Sequence, residues 1–259
     1  MKLRRWVALS FALGILAGCS ANRPEEPQQS KKADVPPVYF KVDPTTAGKL
    51  KGDIQFAGKK PSRRPIDMSG DPACAEAHHG QAYDESVVVN PNGTLANVFI
   101  YIKSGLEGKT FETPANPVTI DQQGCWFRPR VMGIQVGQTF HVTNSDPVTH
   151  NIHPLAQVNR EWNHSQGAGD PQLTRKFIKP EVMVPVKCNI HSWMHAFIGV
   201  VAHPYFAVTG ADGKFEMPNV PPGDYVVAAW HEKFGTMEQR ITLAPSGTSE
   251  VNFKFKESN

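Results

Sequence analysis

The chain has 259 residues, enough for one large domain or two modest ones, and its 40% hydrophobic content is enough for a core. Its formal charge of +3 comes from Lys2, Arg4 and Arg5 in the amino-terminal segment, without which 24 cations face 24 anions. This balance gives no support to nucleic-acid binding. The 22 Pro and 21 Gly are scattered as turn residues, a pattern that predicts many short strands and therefore an all-β fold.

Residues 1–18 are typical of an export signal rather than of a folded domain. Basic residues at the start precede an apolar run over residues 6–16, which is too short to span a bilayer. The sequence Leu-Ala-Gly before Cys19 resembles a bacterial lipobox, which implies cleavage before Cys19 and lipidation of this cysteine. We therefore expect a lipid-anchored protein of the bacterial cell envelope, on the periplasm-facing outer membrane. A plain signal peptide is the alternative.

Residues 19–48 follow as a predicted tether. They are rich in Pro, Gln, Lys and Glu, with almost no large apolar residue before Val38. Because such a composition cannot bury a core, we expect this segment to be disordered and to lift the domain off the membrane. The first strand is predicted at residues 49–56, and the Asn92-Gly93 dipeptide predicts a hairpin between residues 86 and 102.

Two stretches carry the parts of a candidate metal site. Cys188 is followed by His191 three residues later and by Met194 three residues after that. A thiolate, an imidazole and a weak thioether suit copper with a long axial ligand. The second imidazole is expected from His150, about forty residues upstream, after the turn 144–146. Zinc is the main alternative, but its structural sites usually carry paired Cys or His spacings, and this loop has one Cys.

A His-Asn pair after an Asn-x-Asp turn, followed by a late Cys-x-x-His…Met loop, resembles the cupredoxins, the plastocyanin-like blue-copper proteins. The resemblance implies a Greek-key β-sandwich over residues 49–204 that binds one copper ion. It implies that Asn151 ties the His strand to the Cys loop. The implied copper ligands are His150, Cys188, His191 and, in the axial position, Met194.

The spacing in this loop departs from the plastocyanin pattern, in which more residues separate the second His from the Met. The axial ligand therefore has alternatives, which are His153, His195 and an open position. The resemblance implies a protein that is not an enzyme and that exchanges electrons with redox partner proteins in the envelope.

Residues 205–259 form a second predicted unit of short strands, with turns at Asp212-Gly213 and Pro222-Gly223. The pattern Asp-Gly-Lys-Phe followed by Val-Pro-Pro-Gly-Asp-Tyr resembles carboxypeptidase-regulatory or transthyretin-like β modules. The resemblance implies a structural role without chemistry. Because the unit is small for independence, its strands packing onto the copper domain are the alternative. The whole chain is similar to bacterial lipoproteins that combine both modules.

The four cysteines divide among three roles. With Cys19 assigned to lipid and Cys188 to metal, Cys74 and Cys125 are left in an oxidising compartment, where a disulfide is the economical assignment. A second metal site that uses His78 and His79 beside Cys74 is the alternative.

Three functions fit these features. The first is mononuclear type 1 copper electron transfer, the second is a copper carrier or sensor, and the third is a metal-free β-sandwich scaffold that binds other proteins. The seven Met are scattered rather than clustered, which argues against a carrier.

Overall fold

A computed structural model describes residues 37–78 and 80–257 of the chain. The predicted signal segment 1–18, the lipidation site Cys19 and the tether up to residue 36 lie outside these residues. No helix in the described part is long and apolar enough to cross a membrane.

The described chain forms nineteen strands and one short helix. The first half contains, in chain order, β1 (Gly48–Ala57), β2 (Pro65–Ile66), α1 (Pro72–Ala77), β3 (Ala82–Tyr83), β4 (Phe99–Ser104), β5 (Val118–Gln122), β6 (Phe127–Arg128), β7 (Val131–Gln135), β8 (Phe140–Asn144) and β9 (His150–Pro154). The second half contains β10 (His164–Gln166), β11 (Leu173–Arg175), β12 (Glu181–Lys187), β13 (His195–Val201), β14 (Phe206–Val208), β15 (Lys214–Val220), β16 (Gly223–His231), β17 (Gly235–Leu243), β18 (Thr248–Glu250) and β19 (Phe253–Lys256).

Two sheets form the first sandwich. One has the order β10-β9-β12-β13-β7 and the other the order β11-β8-β5-β6. Side chains alternate across each strand, so that one face of each sheet turns inward. The inward residues share one buried cluster, with Phe140 and Val142 from the four-stranded sheet and Val184, Val186 and Ile198 from the five-stranded sheet. The predicted all-β sandwich fold is therefore confirmed.

The second sandwich crosses the predicted boundary between residues 204 and 205. Strand β1 pairs with β15, β18 and β19, and β4 pairs with β14 and β16. The range 49–204 is therefore not one sandwich, and the C-terminal strands complete sheets that β1 and β4 begin. Long-range packing decides this pairing, because the apolar face of β1, with Leu50, Ile54 and Phe56, is buried against the C-terminal strands in one core.

The tether prediction was wrong at its C-terminal end. Phe40 and Val42 pack against the core of the second sandwich, and the Phe40 ring lies edge-on to Phe111 with the ring centroids 5.7 Å apart. The Phe40 N–H also donates to the carbonyl of Thr110 at 2.7 Å. These apolar contacts, together with backbone hydrogen bonds, hold residues 40–47 on the fold.

The two sandwiches pack closely against each other at a pair of glycines. Gly133 of β7 and Gly199 of β13 lie side by side in the parallel register of these strands. They leave a hollow that holds the fully buried Phe99 ring and Phe206. Nearby, Arg130 makes a two-pronged ion pair with Glu232 in the β16–β17 turn, at 2.7 and 3.0 Å, with both side chains almost fully buried.

We expect Gly199→Ala to destabilise the protein by about 1–3 kcal/mol, because the added methyl group would lie 2.4 Å from the Phe99 ring, which has no room to retreat. Gly210→Ala is the matched control, since nothing lies within 4 Å of the methyl group it adds. Denaturant unfolding of both variants measures the difference. Equal stability of the two would contradict close packing at this junction.

Candidate metal centre

Strand β12 delivers Cys188, and a short loop returns the chain into β13 at His195. The loop closes on itself, since the Cys188 N–H donates to the Met194 carbonyl at 3.1 Å and the Met194 N–H donates to the His191 carbonyl at 3.0 Å. The N–H groups of Ile190 and His191 both point at Cys188 Sγ, at 3.4 Å. This loop geometry provides two hydrogen-bond donors for a thiolate.

His150 reaches the same point from the neighbouring strand. It opens β9, which runs antiparallel to β12 with His153 opposite Lys187. The turn before it is held by Asn144, whose side chain donates to the Val148 carbonyl at 2.8 Å and accepts from the Asp146 N–H at 3.1 Å. The register therefore places His150 beside the loop that begins at Cys188.

The three predicted nitrogen and sulfur ligands converge in the core. Ligand atoms of His150, Cys188 and His191 all lie within 4.8 Å of one another, and all three residues are buried. The two Nδ1 atoms are 3.0 Å apart, and His191 Nδ1 lies 3.9 Å from Cys188 Sγ. Cys188 is the free cysteine of the described residues.

Of the other residues that the sequence singled out, two lie at this cluster and two do not. Met194 is fully buried in the same core, and Asn151 accepts a hydrogen bond from the Asn189 N–H of the Cys188 loop at 3.1 Å. His153 instead binds Glu161, with Nε2 2.6 Å from the carboxylate. His195 is exposed. Neither of these two histidines belongs to a ligand cluster among the described residues.

A carboxylate lies within hydrogen-bond distance of the Nε2 atom of each imidazole, the remote nitrogen that faces away from the other ligands. Neither carboxylate was predicted from the sequence. His150 Nε2 lies 2.7 Å from Asp146 Oδ2, and His191 Nε2 lies 3.0 Å from Asp71 Oδ2. Asp146 stands four residues before His150, a spacing that could have indicated it. Asp71 is 120 residues from His191, and no local pattern in the sequence points to it.

The predicted disulfide between Cys74 and Cys125 is present and lies against this cluster. Cys74 Sγ is 3.7 Å from His191 Nε2, and the Trp193 indole donates to the Cys125 carbonyl at 3.1 Å. Since both sulfurs are bonded to each other, they are not available as thiolate ligands. The alternative second metal site is therefore wrong in this state, and His78 instead accepts a hydrogen bond from Trp126 at 3.1 Å. His79 lies outside the described residues.

The hydrogen bonds around the cluster shift its pKa values against the effect of burial. Burial raises the pKa of Asp146, but bonds from His150 and from the backbone of Cys125 and Gly124 outweigh it and hold the pKa below its ordinary value. Burial lowers the pKa of His150, but its bonds to Asp146 and Cys188 outweigh this and raise it. Burial raises the pKa of Cys188, and bonds from His150 and the loop N–H groups lower it to about 7.

This donor set fits copper. One thiolate, two imidazole Nδ1 atoms and a buried thioether residue match the soft and borderline ligands that copper takes in electron-transfer sites. The remote nitrogens are already bound, so the Nδ1 atoms are the ones presented to a metal. Such second partners usually fix the ring orientation of ligating histidines.

Comparison with known proteins gives one match by family and several by structure. Residues 197–256 match the family model "Carboxypeptidase regulatory-like domain", which thus begins in β13 rather than at residue 205. No curated protein sequence matches the chain.

The similar solved structures include a Cu-containing nitrite reductase from Thermus scotoductus SA-01, with 26% identity over 38% of this chain and 24% of that chain (TM-score 0.31). A novel purple cupredoxin from Nitrosopumilus maritimus is 20% identical over 32% and 98% of the two chains (TM-score 0.28). An oxidised mutant of amicyanin is 17% identical over 39% and 97% (TM-score 0.30). This chain thus spans about a quarter of the nitrite reductase. These TM-scores are too low to bear on function, which depends here on the chain's own residues.

We expect the Cys188 thiol of the metal-free protein to have a pKa of about 7 and thus to be half ionised near pH 7, whereas an ordinary cysteine thiol has a pKa of 9.0. The ultraviolet absorbance of the thiolate, taken as the difference between the protein and its Cys188→Ser variant, measures this. Asp146→Asn should raise the Cys188 pKa, because His150 then loses the carboxylate that stabilises its positive charge. Half-ionisation at the ordinary value in the unaltered protein would contradict this electrostatic picture.

Proposed function

We propose that this chain binds one copper ion through His150, Cys188 and His191, with Met194 as the weak axial ligand, and transfers electrons in the bacterial cell envelope. Bound copper would supply a one-electron centre that alternates between Cu(II) and Cu(I). The chain itself holds the ligands in place and excludes water from them.

The convergence of the three ligand atoms carries the proposal. A thiol and two imidazoles are buried together with their Nδ1 and Sγ atoms facing one another. Buried polar groups are costly unless they are partnered, and here every remote contact is provided by a carboxylate or a backbone N–H. The ligands are thus built into the fold rather than gathered from a flexible surface.

Burial favours electron transfer over catalysis and over copper delivery. His150 and Met194 are fully buried, and Cys188 and His191 are each 3% exposed. A substrate would need an open position at the metal, and a carrier would need ligands that a partner can reach. An electron needs neither, because it can cross a thin layer of protein to a redox partner.

The proposed location rests on the amino-terminal sequence together with the disulfide. Leu-Ala-Gly before Cys19 favours a lipid anchor, and the Cys74–Cys125 bond suits an oxidising compartment. We propose that residues 19–36 link the anchor to the folded part, on the periplasm-facing outer membrane. The redox partners would then be other envelope proteins.

We expect the copper-loaded protein to absorb strongly in the visible through its thiolate, and Cys188→Ala to abolish both colour and stoichiometric binding. His150→Ala should weaken copper binding by at least about 100-fold, because even outer-shell changes typically cost 10–100-fold. His153→Ala is the matched control and should keep both properties, since His153 faces Glu161. A coloured Cys188→Ala protein, or a His150→Ala protein that binds as before, would contradict the ligand set.

Met194→Leu should keep copper and colour but raise the reduction potential. An apolar residue removes a weak axial donor that favours Cu(II), and the axial ligand is known to tune the potential of such sites. A redox titration followed by visible absorbance measures the change. An unchanged reduction potential would contradict the assignment of Met194 as the axial ligand.

A further inference from the structure

The two ligating imidazoles are hydrogen-bonded to carboxylates from two separate segments of the chain. Asp146 belongs to the turn that leads into His150, and its two oxygens also accept the N–H groups of Gly124 and Cys125 at 2.7 and 2.8 Å. Asp71 comes from a separate segment of the chain. It precedes α1, and its Oδ1 accepts the Cys74 N–H at 3.2 Å, which makes it the N-cap of that helix.

The disulfide joins these two carboxylates into one brace. Asp71 holds Cys74, Cys74 is bonded to Cys125, and Cys125 is held by Asp146. The brace therefore starts at one imidazole and ends at the other. Helix α1 cannot move away from His191 without pulling on a covalent bond, so the Asp71 carboxylate is fixed at hydrogen-bond distance from His191 Nε2.

We propose that Asp71 is a positioning residue that holds the reduction potential of the centre down. This inference rests on the proposed copper function. A carboxylate on the remote N–H orients the imidazole and makes its other nitrogen a stronger donor. It also places a negative charge about one ring away from the metal position, which favours Cu(II) over Cu(I).

The other polar contacts of Asp71 leave this charge effective. Its side chain is 29% exposed, and the backbone bond to Cys74 uses only Oδ1, so Oδ2 is left for His191. Asp146 is less suited to a test of the reduction potential, because each of its oxygens also accepts a backbone N–H, from Gly124 or Cys125, and an amide would keep only one of these two acceptors. Asp71→Asn removes the charge and keeps both the size and the capping ability of the residue.

The test is a redox titration of the full-length, copper-loaded protein, followed by visible absorbance. Asp71→Asn should shift the balance toward Cu(I) by on the order of tenfold, which is about 59 mV for one electron. Asp67→Asn is the matched control. It removes an exposed carboxylate from the same segment, one that accepts hydrogen bonds only from Ser69 among the described residues, and should leave the potential within experimental error.

Asp71→Ser serves as a second variant, since Ser also caps a helix but is too short to reach His191. It should raise the potential as Asp71→Asn does, with a thermal unfolding curve close to that of the unaltered protein. The proposal is overturned if both Asp71 variants keep copper and colour but shift the potential no more than Asp67→Asn. If the unaltered protein binds no copper, the proposed function itself fails, and the two failures are thereby distinguished.

Discussion

Two imidazoles, of His150 and His191, are buried edge to face in this protein, with their ring centroids 4.9 Å apart, and each is hydrogen-bonded to a carboxylate. Without Asp146 and Asp71, the remote nitrogens of His150 and His191 would be polar atoms in an apolar core, at a cost of about 1–3 kcal/mol each. With them, the Nδ1 atoms lie 3.0 Å apart, and both lie within 4.8 Å of Cys188 Sγ. Helix α1, the disulfide and the turn before His150 all take part in holding these two carboxylates in place.

The second sandwich supports the centre by fixing the strands that carry it. Strand β13 leaves the ligand loop at His195 and passes directly to the glycine hollow that receives Phe99. The buried pair of Arg130 and Glu232 ties the segment before β7 to the β16–β17 turn. Both contacts are made at β13 or at the segment before β7, which pairs with β13, so the C-terminal strands pack against the strand that follows the Cys188 loop.

The sequence predicted what local spacing determines. Cys188, His191 and Met194 fall within one short loop, so local spacing indicates that these side chains can meet. His150 lies about forty residues upstream, and its place in the set was implied by the resemblance to the cupredoxins. The Cys74–Cys125 bond followed from counting cysteines under the expectation of an oxidising compartment. Strand β1 was placed correctly to within one residue of its start, because its alternation is visible in the sequence.

Contacts between residues that are far apart in the sequence were not predicted, because long-range packing decides them. Nothing near Asp71 in the sequence indicates His191, because the two residues are 120 positions apart and meet only in the folded chain. The pairing of β1 with the C-terminal strands likewise depends on which apolar face meets which. The predicted Asn92-Gly93 hairpin is reduced to a single bridge between Val89 and Leu95. The Leu95 N–H donates instead to the Ile54 carbonyl of β1.

Copper-edge X-ray absorption of the loaded protein tests the central claim most directly, because it identifies the atoms bound to the metal. A buried centre of Cys188, His150 and His191 predicts one short copper–sulfur distance and two imidazole rings around the ion. The sulfur contribution should disappear in Cys188→Ala. A shell of nitrogen and oxygen alone in the unaltered protein would contradict the claim.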